Sequence, residues 1–202
     1  VLVLSLTRSA WLGFLAAAAL LLLLRDRRLV FSLPVLFVGL WLLVPPDVQQ
    51  RVRSLVSPDR SGRDRIYMLE SGLRMASNHP WFGVGPYMVS WVYPIYRVGE
   101  APEQNNVHLH NNAAQIAAER GIPCLVAWLW FMGVLLIWAV RGFRRSRDRP
   151  QEKALAAGAL GVLVAALAAG LFEYNLGDSE FLMFFLFVVA IPFVLERHRE
   201  AT

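Results

Sequence analysis

Residues 57–120 read SPDRSGRDRIYMLESGLRMASNHPWFGVGPYMVSWVYPIYRVGEAPEQNNVHLHNNAAQIAAER and form the one long polar segment of a chain built mainly of apolar runs and short basic connectors. This segment contains three of the four histidines. Apolar runs of near membrane-spanning length lie on both sides of it, so the sequence predicts a large loop held between membrane helices. Any chemistry is expected to reside mainly in this loop.

Composition indicates an integral membrane protein. Of the 202 residues, 56% are hydrophobic and only 17% are charged. The net charge of +5 would suit a nucleic-acid binder, but most basic residues lie in short clusters between apolar runs, as membrane topology requires. We therefore expect contact with membrane lipid and no nucleic-acid partner. The single cysteine, Cys124, excludes a disulfide within the chain.

The apolar runs predict an all-α, polytopic helical bundle of about five membrane spans. We expect the spans at residues 10–24, 29–44, 123–140, 154–172 and 181–195. Residues 1–6 would be the tail of a truncated preceding span, with a tight turn at Thr7-Arg8-Ser9, because a charge inside a span is costly. The alternative is one continuous helix from which Arg8 snorkels. The chain begins at Val1 without a signal-peptide pattern, so we interpret it as the C-terminal part of a longer protein.

Charge patterning predicts the orientation of the chain. The expected divisions are membrane spans with the Arg8 turn at 1–44, a catalytic loop at 45–120 and C-terminal spans at 121–202. If the basic connector at 25–28 is cytoplasmic, the connector at 141–153 and the C-terminal tail lie on that same side. The long loop and Arg8 then lie on the periplasmic side. Because topology does not explain positive charge there, a functional role is indicated.

Two parts of the loop have readable local structure. Ser61 and Asp64 have the spacing of a helix start, with Ser61 as the N-cap. Apolar residues then recur at helical spacing, which predicts an amphipathic helix over 64–77 that lies on the membrane surface or packs on the spans. Residues 79–86, HPWFGVGP, follow, and Gly83 and Gly85 favour a structural turn over a phosphate-binding loop.

The histidines at the end of the loop permit two interpretations. Residues 107–112 are expected to open a second helix, which would point His108 and His110 about 200° apart, whereas a strand would place them on one face. A zinc pair needs the extended geometry and a third ligand, and no third ligand is apparent in the sequence. We therefore expect no metal. A single histidine base, oriented by a neighbour such as Asn111 or by a backbone carbonyl, is more economical.

Four short motifs occur in order along the chain. They are TRSAW at 7–11, GRDRIY at 62–67, HPWFGVGP at 79–86 and HLHNNAAQIAAERGI at 108–122. Together they resemble the "SRga", "GR…W", "hPl.GvGpg" and "haHN…aElGi" motifs of the O-antigen ligase/polymerase superfamily, the Wzy/WaaL-like bacterial envelope glycosyltransferases. Tyr67 stands where the family usually has Trp. The resemblance spans nearly the whole chain, which corresponds to the C-terminal portion of a usual member.

The resemblance implies transfer of a glycan from undecaprenyl diphosphate to an acceptor hydroxyl at the outer face of the bacterial cytoplasmic membrane. The reaction is expected to invert the anomeric centre and to need no metal or other cofactor. On this resemblance, His110 is the catalytic base, and Arg8 and Arg63 bind the diphosphate and stabilise its departure. The expected substrate contacts are His108, Asn111, Arg97, Arg74, Glu173 and Asp178.

Several alternatives remain open. The acceptor would be a lipid A core for a ligase, another repeat unit for a polymerase, or a protein side chain for an O-oligosaccharyltransferase of the same superfamily. Residues 173–180, EYNLGDSE, line the acceptor side or are only a polar turn between spans. Outside the enzyme class, the chain would be a non-enzymatic subunit of a polysaccharide export or flippase system.

Overall fold

The computed structural model describes residues 8–43, 49, 60–99, 101 and 105–200, and all regular secondary structure within them is helical. The α-helices are α1 (Arg8–Arg25), α2 (Ser32–Leu43), α3 (Arg60–Asn78), α4 (Val89–Tyr96), α5 (Asn112–Arg145), α6 (Pro150–Ala169) and α7 (Ser179–Glu200). Two short 3-10 helices span Arg27–Phe31 and Asn175–Gly177. The predicted all-α class is confirmed.

Within the part of the chain that the structure describes, three helices are long and apolar enough to cross a membrane. They are Asn112–Arg145, Pro150–Ala169 and Ser179–His198, and the shorter apolar helix Ser9–Arg25 accompanies them. At about 1.5 Å per residue, helices of 20 residues or more match a hydrocarbon core of about 30 Å. The protein is therefore a polytopic helical membrane protein. The predicted span tail at 1–6 lies outside the described residues.

The N-terminal part differs from its prediction in two places. Arg8 and Ser9 begin α1 and are helical, so the tight turn predicted at residues 7–9 does not include them; Thr7 lies outside the described residues. The span predicted to begin at Leu29 starts instead with the 3-10 helix, and α2 begins at Ser32. The reason is Asp26, whose side chain accepts a hydrogen bond from the Arg28 backbone N–H at 2.9 Å and caps the tighter turn.

The chain forms two compact units. The first contains α1, α2, α5 from Gly133 onward, α6 and α7. In this unit α6 packs against both α1 and α7. Helices α1 and α6 approach closely at Gly13, where an added Cβ atom would lie 2.8 Å from the Ala165 carbonyl oxygen. Small residues thus bring these helices together. At Gly161, the Leu21 side chain would lie 3.5 Å from an added Cβ atom, an ordinary packing contact.

The second unit contains α3, α4, α5 up to Met132 and the connector Gly170–Asp178. Its core is apolar and joins α3, α4 and the start of α5. The core residues are Met68, Met75, Val89, Tyr93, Leu109, Ala114 and Ala118. Helix α3 begins at Arg60, so Ser61 lies within its first turn and is not the N-cap; ends of helices commonly shift by one or two residues. The predicted apolar stripe of α3 is exposed at Ile66, Leu69 and Leu73, and Met68 and Met75 on the adjacent face fill the core.

The glycine loop at 83–85 fits against the first part of α5. Helix α5 is broken at Gly121, whose φ of 82° and ψ of 172° are not helical. The break frees the carbonyl groups of Ala118 and Glu119, and these accept the N–H groups of Val84 at 2.8 Å and Gly85 at 3.1 Å. The expectation that HPWFGVGP has a structural role is confirmed, because its backbone caps a helix.

Candidate functional site

The histidine segment precedes α5 and is not part of it. The expectation that residues 107–112 form a helix is wrong, because the helix begins at Asn112. The side chain of Asn111 accepts the Ala114 N–H at 2.8 Å, which is the bond of an N-cap, so the segment before it is free to take another conformation. His110 has a φ of 49°, in the left-handed region that few residues other than glycine adopt. This turn places the His108 and His110 rings 4.2 Å apart, centre to centre.

Both imidazole rings bond to one carboxylate oxygen. Nδ1 of His110 lies 2.9 Å from Oε1 of Glu173, and Nε2 of His108 lies 3.1 Å from the same atom. The backbone N–H of Tyr174 also donates to this oxygen, at 3.1 Å. The side chains are about one-third exposed, at 34% for His108, 28% for His110 and 29% for Glu173, so the cluster is open to ligands. These three residues are called the His–Glu–His cluster below.

The charge state of Glu173 determines which ring nitrogens of His108 and His110 carry a proton. Burial raises the pKa of Glu173, but the hydrogen bonds from His108 and His110 lower it more, and the result lies well below the usual range. Glu173 is therefore ionised at neutral pH and can only accept hydrogen bonds. It follows that His108 carries a proton on Nε2 and His110 carries one on Nδ1. In a neutral His110 ring, the lone pair is then on Nε2.

The connector Gly170–Asp178 is tied to the histidine segment by two asparagines. Nδ2 of Asn111 donates to the Leu171 carbonyl at 3.0 Å, and the backbone N–H of Asn112 donates to the Gly170 carbonyl at 2.8 Å. Nδ2 of Asn112 also donates to Oδ1 of Asn175 at 2.6 Å. These bonds lie on both sides of Glu173 in the chain, so they fix where its carboxylate meets the rings. Asn111 was expected to contact substrate; in the structure its amide also anchors this backbone.

The other side of the histidine segment is held from within α5. The backbone N–H of Leu109 donates to Oε1 of Gln115 at 2.8 Å, and Nε2 of Gln115 donates to Oε1 of Glu119 at 2.9 Å. The Glu119 carboxylate also accepts the backbone N–H groups of Tyr87 and Val89. Gln115 and Glu119 are 1% and 2% exposed, so an unpaired partner here would be costly. This buried chain of bonds joins the histidines to the start of α4.

The cluster also has the composition of a metal site. One ligand atom from each of its three side chains lies within 4.8 Å of the other two. The sequence offered no apparent third ligand beside His108 and His110, and Glu173 supplies one from more than sixty residues away. A helix would have pointed the two rings apart, but the segment is not helical, and the left-handed backbone of His110 brings the rings within 4.2 Å of each other. The expected absence of a third ligand is corrected.

The arginines expected at the site occupy different parts of the molecule. Arg8 is the first residue of α1, in the first unit, whereas Arg63 is exposed in the first turn of α3, in the second. No hydrogen bond or ion pair joins Arg63 to His110 among the residues that the structure describes. The role expected for both arginines, binding the diphosphate, remains a proposal.

The remaining predicted contacts have partners of their own. Arg74 forms an exposed ion pair with Glu70 at 2.8 Å, and Arg97 donates to the Ala101 carbonyl at 3.0 Å. Asp178 is exposed at the end of the connector. Arg74 also lines a groove of about 560 Å³ between α3 and α4. The other residues that line this groove are Glu70, Leu73, Ser77, Asn78, Ile95 and Tyr96. The third histidine of the loop, His79, bonds through Nε2 to the Tyr96 hydroxyl at 2.9 Å.

Sequence reasoning placed Glu173 on the acceptor side and did not connect it with the histidines. It also did not identify Asn112 and Gln115, which hold the segment in place. The available signal was the concentration of hydrogen-bonding side chains in HNNAAQ, at a position where a buried helix start needs partners.

The fold and this cluster define a helical membrane protein with a histidine–carboxylate site in its second unit. The chain belongs to the O-antigen ligase family, whose family model matches residues 1–129. Membership confirms the resemblance found in the motifs and indicates ligase- or polymerase-type glycosyltransferase function, with lipid-linked glycan substrates in a membrane setting. No curated protein is detectably similar to the chain.

Proposed function

We propose that the protein transfers a glycan from undecaprenyl diphosphate to an acceptor hydroxyl at the periplasmic face of the cytoplasmic membrane, with His110 as the catalytic base. The observation that carries the proposal is the hydrogen bond of 2.9 Å between Nδ1 of His110 and the ionised Glu173. It leaves Nε2 as the basic atom and fixes the direction in which the ring faces. A base oriented by a carboxylate is the arrangement that proton abstraction from a hydroxyl requires.

The proposed step is a direct displacement. The acceptor oxygen bonds to the anomeric carbon as its proton passes to Nε2 of His110, and the bond from that carbon to the diphosphate oxygen breaks. Attack opposite to the leaving group inverts the anomeric centre. The imidazolium that forms is stabilised by Glu173, which already accepts a hydrogen bond from its Nδ1. A base of this kind contributes about 10²–10⁴-fold to the rate, and no divalent metal is needed for the step.

The leaving diphosphate gains negative charge and needs fixed cations. Guanidinium groups bind phosphate through two parallel N–H donors, and Arg8 and Arg63 are assigned to this role. Arg63 is exposed near the N-terminus of α3, where the helix dipole adds to the attraction for an anion. The basic connectors on the opposite side of the spans support a location of this loop outside the cytoplasm, by the positive-inside bias.

Glycosyltransferases of this class differ in the acceptor that receives the glycan. A lipid A core makes the protein a ligase, another repeat unit makes it a polymerase, and a serine or threonine of a protein makes it an O-oligosaccharyltransferase. The groove that contains Arg74 and Tyr96 offers charged, amide and aromatic groups of the kind that bind a sugar. A non-enzymatic export subunit would have no use for an oriented base, so the His110–Glu173 bond favours an enzyme.

The test is glycan transfer by the membrane-inserted protein carrying His110→Asn or Arg63→Ala. Asparagine tolerates the left-handed backbone of residue 110 but cannot act as a base, so the fold is retained. We expect both variants to insert into the membrane at wild-type levels and to lose transfer of the lipid-linked glycan. His79→Asn is the matched control, because this histidine lies outside the cluster, and it should retain transfer. Normal polysaccharide in both variants would overturn the proposal.

A further inference from the structure

We propose that the His–Glu–His cluster is a binding site for Zn²⁺, with Nε2 of His108, Nδ1 of His110 and Oε1 of Glu173 as its protein ligands. Two imidazole nitrogens and one carboxylate oxygen are a ligand set that zinc prefers, whereas Mg²⁺ and Ca²⁺ favour oxygen ligands. Three protein ligands leave a fourth position for water, and the partial exposure of all three side chains gives an ion access. The site goes beyond the proposed transfer, which uses no metal.

The separations of the ligand atoms suit this ion. A tetrahedral Zn²⁺ with bonds of about 2.0–2.2 Å holds its ligand atoms about 3.3–3.6 Å apart. Oε1 of Glu173 already lies 2.9 Å from Nδ1 of His110 and 3.1 Å from Nε2 of His108, and all three ligand atoms are within 4.8 Å of one another. An outward shift of a few tenths of an ångström at each ring therefore admits the ion. Such shifts need only small rotations of side chains.

The surroundings hold these ligands in place without the ion. The carboxylate of Glu173 is oriented by the Tyr174 N–H, and the backbone on either side of the rings is fixed by Asn112 and Gln115. Groups that orient metal ligands in this way commonly change metal affinity by about 10–100-fold. Because the ligands are assembled already, binding does not have to order a loop first.

Zinc binding would change the tautomer of each histidine ring. Each neutral ring moves its proton from the nitrogen that bonds to the metal to the other nitrogen, so no proton is lost overall. In His110 the proton moves from Nδ1 to Nε2, the atom assigned as the base. A zinc-bound His110 would then be a donor and could not accept the acceptor's proton. Zn²⁺ would thus inhibit transfer, and this consequence, unlike the binding itself, rests on the proposed function.

Binding is tested by equilibrium dialysis of the full chain in detergent against Zn²⁺, with purification through a tag that contains no histidine. We expect one Zn²⁺ per chain for the wild type and for the controls His79→Asn and Cys124→Ser. The variants His108→Ala and Glu173→Gln should each bind at least about tenfold more weakly. Wild-type affinity in both of these variants, or no stoichiometric binding by the wild type, would overturn the site.

Co²⁺ provides a second measurement that depends on no variant. In the wild-type protein, Co²⁺ at this site should give the strong visible absorption of a four- or five-coordinate ion, and Zn²⁺ should displace it. Only the weak absorption of hydrated Co²⁺ would contradict the proposed ligands. This arm remains decisive if a variant fails to fold.

A transfer assay then separates the two proposals. With the site confirmed, loss of transfer as Zn²⁺ fills it, and recovery with a chelator, support the assignment of Nε2 as the base. Full transfer by the zinc-loaded protein would leave the metal site standing and overturn the role of His110. If the protein binds no zinc but His110→Asn loses transfer, the metal site is overturned and the role of His110 as the base stands.

Discussion

Nδ1 of His110 lies 2.9 Å from Oε1 of Glu173, which is 63 residues further along the chain. The bond joins the end of the polar loop to the connector between α6 and α7, and both belong to the second unit. Because Glu173 is held by the Tyr174 N–H and its connector by two asparagines, the carboxylate is a fixed acceptor for the ring. The first prediction follows from this bond.

Replacing Glu173 with Gln should lower kcat for glycan transfer by at least about tenfold and leave KM nearly unchanged, because the amide removes the charge that orients His110 and stabilises its protonated form. The measurement is steady-state transfer by purified protein. Glu180→Gln, in an exposed residue at the start of α7, is the matched control and should behave as wild type. A rise in KM with unchanged kcat would instead indicate the acceptor-binding role that the sequence suggested for Glu173.

The two histidines of the cluster should differ in their effect on rate. His110→Asn should reduce kcat by about 10²–10⁴-fold, since it removes the base. His108→Asn should reduce kcat by a smaller factor, because the His108 ring shares the carboxylate oxygen but is not assigned to take the proton. The comparison is made on single-turnover rates of transfer. A larger loss for His108→Asn would reverse the assignment.

Arg63→Ala should impair turnover of the lipid-linked donor by at least about tenfold, whereas Arg65→Ala should have little effect. Both are arginines of the first turns of α3, but only Arg63 is assigned to the diphosphate. The loss should be smaller for Arg63→Lys, which keeps the charge but not the two parallel donors. Donor turnover at fixed acceptor concentration is the measurement. Equal losses for Arg63→Ala and Arg65→Ala would indicate only a general effect of positive charge.

Alanine at Gly83 or Gly121 should destabilise the second unit. Both glycines have positive φ, which costs another residue about 1–3 kcal/mol, and an added Cβ would lie 2.3 Å from the Glu119 carbonyl carbon or 2.4 Å from the Trp81 carbonyl oxygen. The midpoint of thermal unfolding in detergent should therefore fall. Gly133→Ala is the control: its Cβ meets no described residue, and alanine favours a helix by up to about 1 kcal/mol. Unchanged midpoints for both variants would contradict the capping role of the glycine loop.

Acid should weaken the protein through Glu173. Its pKa in the fold is lowered from 4.5, so the ionised carboxylate stabilises the fold at a pH above about 4.5, and this contribution is lost as the pH falls toward the folded pKa. Melting curves between about pH 5 and pH 3 are the measurement. The difference in midpoint between wild type and Glu173→Gln should shrink across this window. A constant difference would mean that the Glu173 carboxyl does not titrate differently on folding.

The helices and the membrane class were predictable because hydropathy over about 20 residues reports burial in lipid without knowledge of tertiary structure. The start of a span at Pro123 was also predicted, and the structure breaks α5 at Gly121, just before that residue. Predictions of helix boundaries from the local sequence failed where a side chain capped a turn. At Asp26, a cap converted the expected start of a span into a 3-10 turn.

The site was predictable only in part. His108 and His110 were identified by motif, but their backbone depends on Asn111 acting as the N-cap, which starts the helix four residues after His108. The contact of Glu173 with both rings follows from tertiary packing across 63 and 65 residues, and no local pattern encodes it. The roles proposed for Arg63 and His110 stay predictions that the transfer assays address, and the role of Arg8 beside them stays a prediction.

The match to the family ends at residue 129, whereas the carboxylate that both rings share is at position 173. A recombinant fragment trimmed to that boundary would keep every signature motif and lose the acceptor of both imidazoles, together with the connector that anchors Asn111 and Asn112. Expression of such a truncated polypeptide would yield unsupported histidine rings, and an inactive product would reveal nothing about the intact enzyme.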